Sequence, residues 1–404
     1  MKTPELKKIA WIDCIFLPLE ETYSLTSSIR INAGSDYETD EEAGISHFLE
    51  HLSFKGWKKW NTPTKLRDAV MDMGWVFNAG TGDRRTNFFI KAPYKTSKLQ
   101  LDILSDMIVN TLYNEKEIEK EKWVIIQELK KSKDNNIKEA YFQGREFFLW
   151  KNNFSRPTLW NEENIKKFTQ EDFLNYKKQL YTKDNSVIAI AWKIEDQKFI
   201  EEKIKENFST LPDKKTRDYP KFKRDLPEHH TTYIEKWLNQ ARIAIFIPSV
   251  SLTSKEYFPC TLLAMLLKKN LFKTIREELW LCYDISVNCI APKEYGFFLI
   301  ETGVHPDKIE ITLEKINEII DKIIINWIDD NETTRIKNGQ IWNTILAYET
   351  AQNLSNFYCL RYLQFKKIIT LDEWINSYEQ VKKEDIENML PLLKKDKRYT
   401  FYIK

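Results

Sequence analysis

The chain has 404 residues, enough to bury two cores, because a single hydrophobic core stops growing well before this length. Its 62 basic and 60 acidic residues leave a formal charge of +2, so the balance carries no electrostatic footprint of a nucleic-acid or anionic-membrane partner. Five scattered cysteines (Cys14, Cys260, Cys282, Cys289 and Cys359), odd in number and without C-x-x-C spacing, speak against a disulfide framework and fit small buried thiols in a reducing, cytoplasmic compartment.

At the N-terminus, Lys2, Lys7 and Lys8 precede the apolar stretch IAWIDCIFLPL. Asp13 and Pro18 interrupt it and no small-residue cleavage site follows, so a strand is expected there rather than a leader. SIRINAGS, from Ser28, alternates with period two and reads as another strand. Thr39 and Glu42 have capping-box spacing, and Ile45, Phe48, Leu49 and Leu52 then recur on one side of a helix. The sequence His47-Phe48-Leu49-Glu50-His51 lies on that helix. TNFFIK, from Thr86, reads as a strand before a long amphipathic helix. Asn114 and Glu117 mark the start of another helix through EIEKEKWVIIQELKK, where Glu121 and Glu128 share a face two turns apart.

KKTRDYPKFKRDLPEHH, rich in charge and proline and without an apolar period, reads as an interdomain linker. The expected organisation is therefore an N-terminal domain over 1–213, a linker over 214–229 and a C-terminal domain over 230–404. RIAIFIPS, from Arg242, echoes SIRINAGS, and YGFFLI, from Tyr295, echoes TNFFIK. The offsets, 242 minus 28 and 295 minus 86, are 214 and 209 residues, close enough for a duplicated domain. Strands alternating with helices in each half predict an α+β class: two homologous α/β sandwich domains, each a mixed, largely antiparallel sheet covered by helices. The longest apolar runs, such as Thr261 to Leu267, fall far short of the ~20 residues of a membrane span. His229 and His230 lie in the linker and His305 precedes Pro306 at a helix start, so none is expected to bind metal.

The chemistry concentrates on the inverted H-x-x-E-H sequence. At i, i+4 spacing, His47 and His51 can point at one ion, and Glu50 projects beside its open coordination position, placed as a base rather than a ligand. A tetrahedral catalytic zinc needs a third protein ligand and an open site, and a carboxylate on the helix after Asn114 is the candidate. Of Glu121 and Glu128, one can ligate while the other supports.

AGISHFLEHLSFKG, MGWVFNAGT and EKEKWVIIQE together resemble the pitrilysin/insulinase family of inverted-motif zinc metallopeptidases, as a short single-chain member, and the likeness spans nearly the whole chain. The resemblance implies one Zn2+ per subunit held by His47, His51 and Glu128, with Glu121 as the auxiliary glutamate and Glu50 as the catalytic base. LFKTIREELWLCY is similar to the family segment that carries an Arg and a Tyr seven residues apart, here Arg276 and Tyr283, which would donate hydrogen bonds to the oxyanion. Asn78, Ala79, Gly80 and Thr81 match the strand edge that pairs with an extended peptide substrate. By the same resemblance a homodimer, or a heterodimer with a related subunit, closes a chamber for short or unfolded peptides. Two other functions compete: a catalytically silent subunit acting as scaffold, and a structural zinc protein, which would need a fourth ligand.

Thirteen tryptophans against ten glycines invert the usual composition. By resemblance, Trp75, Trp123, Trp160, Trp192, Trp280 and Trp342 stand where family members commonly carry glycine. Two readings account for this: the tryptophans are genuine and locally accommodated, or UGA codons that denote glycine in one variant code have been rendered as tryptophan. An indole at a glycine position adds bulk and strain, most seriously at Trp123, between Glu121 and Glu128.

Overall fold

The structure is a computed structural model that describes residues 3–404 except 21, 71–73, 151, 159–160, 193–195, 214–216, 224, 237 and 327. In chain order the strands are β1 (Glu5–Ile9), β2 (Ile12–Pro18), β3 (Ser24–Ile31), β4 (Val76–Thr81), β5 (Thr86–Pro93), β6 (Ser186–Trp192), β7 (Thr231–Ile234), β8 (Ala241–Ser249), β9 (Cys282–Ile290), β10 (Gly296–Val304) and β11 (Tyr399–Ile403). The helices are α1 (Ile45–Leu52), α2 (Pro63–Val70), α3 (Ser97–Val109), α4 (Glu115–Asp134), α5 (Asn136–Leu149), α6 (Glu162–Lys167), α7 (Gln170–Leu180), α8 (Gln197–Phe208), α9 (Tyr257–Leu271), α10 (Ile309–Ile325), α11 (Asp330–Ala347), α12 (Ala351–Phe365), α13 (Leu371–Glu379) and α14 (Lys383–Glu387). Among the described residues, no helix is long and apolar enough to cross a membrane.

Two compact units result: residues 1–131, 156–221 and 347–370 form the first, and 132–155, 222–346 and 371–404 the second. The first is built on a six-stranded sheet of order β1-β2-β6-β3-β5-β4, in which only β2 and β6 pair in parallel. The second has five strands in the order β7-β11-β8-β10-β9, again with one parallel pair, β7 and β11. Five strands correspond one to one, β2-β6-β3-β5-β4 with β7-β11-β8-β10-β9, and the echoed peptides fall on matching strands, β3 with β8 and β5 with β10. The α+β class with duplicated sheet-and-helix halves is therefore realised.

Each unit takes in one helix from the opposite end of the chain. In the second unit α5 packs on β8 and β11, and Gly144 makes this possible, because a Cβ there would come within 2.6 Å of the Phe246 ring. In the first unit α12 covers β6 and β3. Polar bonds pin that contact, with Ser28 and Ser355 hydroxyls meeting at 2.9 Å and Arg30 Nη2 donating to Asn356 Oδ1 at 2.8 Å, among buried apolar residues of α12 such as Leu354, Phe357 and Cys359. The opposite face of the sheet carries the apolar core, where Phe16, Ile29, Ile31, Phe88 and Ile90 meet α1, α3, α4 and α8. With both faces covered, every residue of β6 is buried.

The stretch IAWIDCIFLPL forms the end of β1 and all of β2, not one strand. Ala10 and Trp11 turn the chain between them with φ of 49° and 71°, the left-handed pair that a two-residue hairpin loop requires. Three of the six described non-glycine residues with positive φ are tryptophans, Trp11, Trp150 and Trp280, the last at 54°. Indole rings gain nothing from that backbone region, which glycine enters without steric cost. Trp75 and Trp192, by contrast, are buried in the first unit's core, Trp192 edge-on to Phe16 at 5.8 Å. Trp342 is exposed on α11, and Trp160 lies outside the described residues.

Candidate metal centre

Helix α1 is amphipathic in the expected register: Ile45, Phe48, Leu49 and Leu52 are buried, with Phe48 edge-on to Phe173 at 4.8 Å. The side chains on the other face are His47, Glu50 and His51. The helix begins later than the Thr39/Glu42 pattern predicts. Thr39 N does donate to Glu42 Oε2 at 3.0 Å, but Gly44, at φ 100°, interrupts the chain before Ile45. Glu38 satisfies the start of the helix instead, its carboxylate accepting from Gly44 N at 2.8 Å and Ser46 N at 2.9 Å. A carboxylate at a helix N-terminus answers both the free N–H groups and the dipole. Burial nevertheless pushes its pKa up to about 7, against the lowering effect of these hydrogen bonds.

Helix α4 starts where Asn114 predicts, with Asn114 Oδ1 accepting from Lys116 N at 2.9 Å. Ile118, Ile125 and Leu129 fix its buried stripe, and Glu121 lies within that stripe. Two turns on, Glu128 is half-exposed beside the two histidines. Trp123, on the same helix, is 66% exposed, so its indole points away from the core without displacing either glutamate.

The donor atoms of His47, His51 and Glu128 all lie within 4.8 Å of one another. Glu128 Oε2 is 3.4 Å from His51 Nε2 and 4.0 Å from His47 Nε2. A tetrahedral ion with bonds of ~2.0–2.1 Å separates its ligands by roughly 3.3–3.4 Å, which the His51–Glu128 spacing already matches while the wider spacings would have to close on an ion. Three lone-pair donors converging in this way suit a divalent cation. Among the described residues no fourth histidine, cysteine or carboxylate joins them.

A chain of hydrogen bonds sets the form of His51, whereas His47 Nδ1 is buried without a hydrogen-bond partner among the described residues. His51 Nδ1 donates to Glu121 Oε1 at 2.8 Å, and Lys55 Nζ donates to Glu121 Oε2 at 2.6 Å. With its proton on Nδ1, His51 turns the Nε2 lone pair toward Glu128. Burial pulls His51 toward the neutral form, but the Glu121 hydrogen bond and the charges of Glu128, Glu121 and Glu50 outweigh it and raise its pKa. His47 behaves oppositely: burial, helped by the charge of His51, lowers its pKa to about 3, so it is neutral and ready to ligate. Burial would also raise Glu121, but the His51 and Lys55 hydrogen bonds reverse the sign and hold it ionised.

Glu50 is outside the trio. Its carboxylate accepts from Thr81 Oγ1 at 2.6 Å, and burial raises its pKa against that bond, in the direction a general base needs. Thr81 ends β4, the terminal strand of the first sheet, on which Asn78, Ala79 and Gly80 also lie. Space beside Gly80 is open, with nothing within 4 Å of where a Cβ would stand. In the second unit Arg276 sits on a π-helical turn over residues 272–278, its guanidinium 4.6 Å from the ring centre of Tyr283 on β9, which is exposed. Lys55, Glu38 and the Thr81 hydroxyl were not anticipated in these contacts. Lys55 extends the His47, His51 row by one more turn and was legible in principle, whereas the other two contacts have no local pattern.

A family model described as insulinase (peptidase family M16) matches residues 19–159, and one described as peptidase M16 inactive domain matches residues 167–340. The chain is similar to an uncharacterized zinc protease of Rickettsia felis, 28% identical over 381 residues that cover 91% of this chain and 90% of the relative. It is also similar to the uncharacterized zinc protease YmxG of Bacillus subtilis, 25% identical over 91% of this chain and 89% of that protein. The mitochondrial-processing peptidase subunit beta of Dictyostelium discoideum is 30% identical over 52% of this chain and 45% of its own length. In fold, the crystal structure of a protease from Helicobacter pylori superposes with a TM-score of 0.90 at 20% identity, covering 100% of this chain and 99% of that one.

Proposed function

Because the chain belongs to the insulinase family of peptidases, family M16, we propose that it is a zinc-dependent endopeptidase centred on His47, His51 and Glu128. The observation that best supports this reading is the approach of two imidazole nitrogens and one carboxylate oxygen to within 4.8 Å, beside a second carboxylate, Glu50, that is not one of them. A zinc ion held by these three residues would supply Lewis acidity, stabilising negative charge and acidifying water. Glu121 fixes the tautomer of His51. Glu50 takes the proton of the water that attacks the scissile carbonyl and delivers it to the leaving amine. The strand from Asn78 to Thr81 offers its edge to an extended substrate backbone. Arg276 and Tyr283 donate to the oxyanion.

In this reading two copies assemble, the second unit of one supplying Arg276 and Tyr283 to the first unit of the other, around a chamber that admits short or unfolded peptides. A related subunit could replace the second copy, in line with the word subunit in the name of the Dictyostelium relative. The five free thiols support a cytoplasmic setting. The deciding experiment is cleavage of a mixed peptide library, abolished by a chelator and restored by zinc. A protein that binds zinc yet cleaves nothing is a silent subunit, and sedimentation as a monomer alone removes the composite chamber.

A further inference from the structure

Thr81 belongs to the strand whose edge would receive substrate, and its side chain turns to the inner face of the sheet. Exposure alternates along β4, with Val76, Asn78 and Gly80 exposed and Phe77, Ala79 and Thr81 half-buried on the inner face. Phe77 on that face packs against Phe54, just beyond α1, at 5.4 Å between ring centres. The same face therefore brings Thr81 against the motif helix, where Oγ1 donates to Glu50 Oε2 at 2.6 Å. A second hydroxyl lies beside it without competing for its proton. Thr86, directly opposite across the β4–β5 ladder and fully buried, places Oγ1 3.5 Å from it and donates to Ala33 O at 2.7 Å. β-Branching restricts χ1, so the Thr81 hydroxyl is held in place without help from substrate.

We infer that Thr81 is a positioning residue, whose hydroxyl fixes the Glu50 carboxylate and ties the geometry of the base to the substrate-receiving strand. The inference rests on the reading of Glu50 as the proton-transfer group. The Thr81 hydroxyl takes up Oε2, and the Thr81 backbone N–H also hydrogen-bonds the carboxylate, so one residue grips the base twice and only the hydroxyl contact depends on its side chain. An extended peptide pairing along the free edge of β4 would stiffen the strand that carries Thr81, so recognition at that edge and alignment of the base on the inner face share one backbone.

The test uses the full-length zinc protein and three variants, Thr81→Val, Thr81→Ser and Glu50→Gln, with kcat, KM and zinc content measured for each. Thr81→Val keeps shape and β-branching but loses the donor, and is expected to lower kcat about 10- to 100-fold with KM and zinc content near wild type. Thr81→Ser, which keeps the donor, is expected to recover most of the rate. A crystal structure of Thr81→Val should show Glu50 in a changed or divided rotamer. If Thr81→Val keeps wild-type kcat while Glu50→Gln is inactive, or if its loss falls wholly in KM or in zinc content, the positioning role is wrong and the base assignment stands. If Glu50→Gln retains wild-type activity, the base assignment fails, and the positioning role with it.

Discussion

Glu121 meets His51 at 2.8 Å, carboxylate oxygen to ring Nδ1, on the far side of the imidazole from Glu128. A buried carboxylate in that place commits the ring to one tautomer, and Lys55 at 2.6 Å balances its charge. The two glutamates of α4 therefore stand on opposite sides of one imidazole, Glu128 beside the Nε2 edge and Glu121 at Nδ1.

Replacing Glu121 by Gln should weaken zinc binding by about 10- to 100-fold, the usual cost of losing a carboxylate behind a ligating histidine. Competition with a chromogenic chelator measures it directly. An unchanged dissociation constant would mean that His51 needs no such partner.

Glu50→Gln is expected to leave zinc content at wild type and to reduce peptide cleavage by about 10²- to 10⁴-fold, the contribution of a positioned general base. Metal analysis and kcat on the same preparation check both halves of the prediction.

Glu38 makes stability depend on pH in a stated direction. Its folded pKa of about 7 lies above the ordinary 4.5, so the folded state binds the proton more tightly. The resulting stabilisation is complete below pH 4.5 and is lost as pH rises through 7, at up to about 1.4 kcal/mol per pH unit within that window. Chelator-treated protein, melted at intervals from pH 5 to 8, should show this slope, and Glu38→Gln should flatten it.

Backbone geometry predicts opposite effects for glycine at different tryptophans. Trp11 and Trp280, at φ 71° and 54° and both exposed, should gain about 0.5–1 kcal/mol on replacement by glycine. Trp342, inside α11, should lose about as much. Melting temperatures of the three variants test the contrast, and peptide mass spectrometry of the native protein identifies the residues that the cell inserts.

Much of the centre was legible because it obeys helical spacing. With five histidines in the whole chain, two of them one turn apart around a glutamate stand out, and Glu121 and Glu128 are two turns apart on an evidently amphipathic helix. The strand echoes survived as matching positions in two sheets. What escaped was set by contacts distant in sequence or without a period. The carboxylate that starts α1 comes from Glu38, across a left-handed glycine that periodicity does not register. The hydroxyl on Glu50 comes from 31 residues away. The placement of α5 and α12 depends on which sheet face remains uncovered, and neither helix announces that in its own residues.

The reach of α12 into the first unit bears on how this molecule can be dissected. Cutting the gene within the proline-rich stretch would yield two fragments, each deprived of a roof that the other encodes. The N-terminal fragment would expose Ser28 and Arg30 on a bare sheet face, and the C-terminal one would leave Phe246 and Phe401 without the helix bearing Gly144. Such pieces should recover native structure only when co-expressed, because each half of the chain supplies a helix to the sheet of the other.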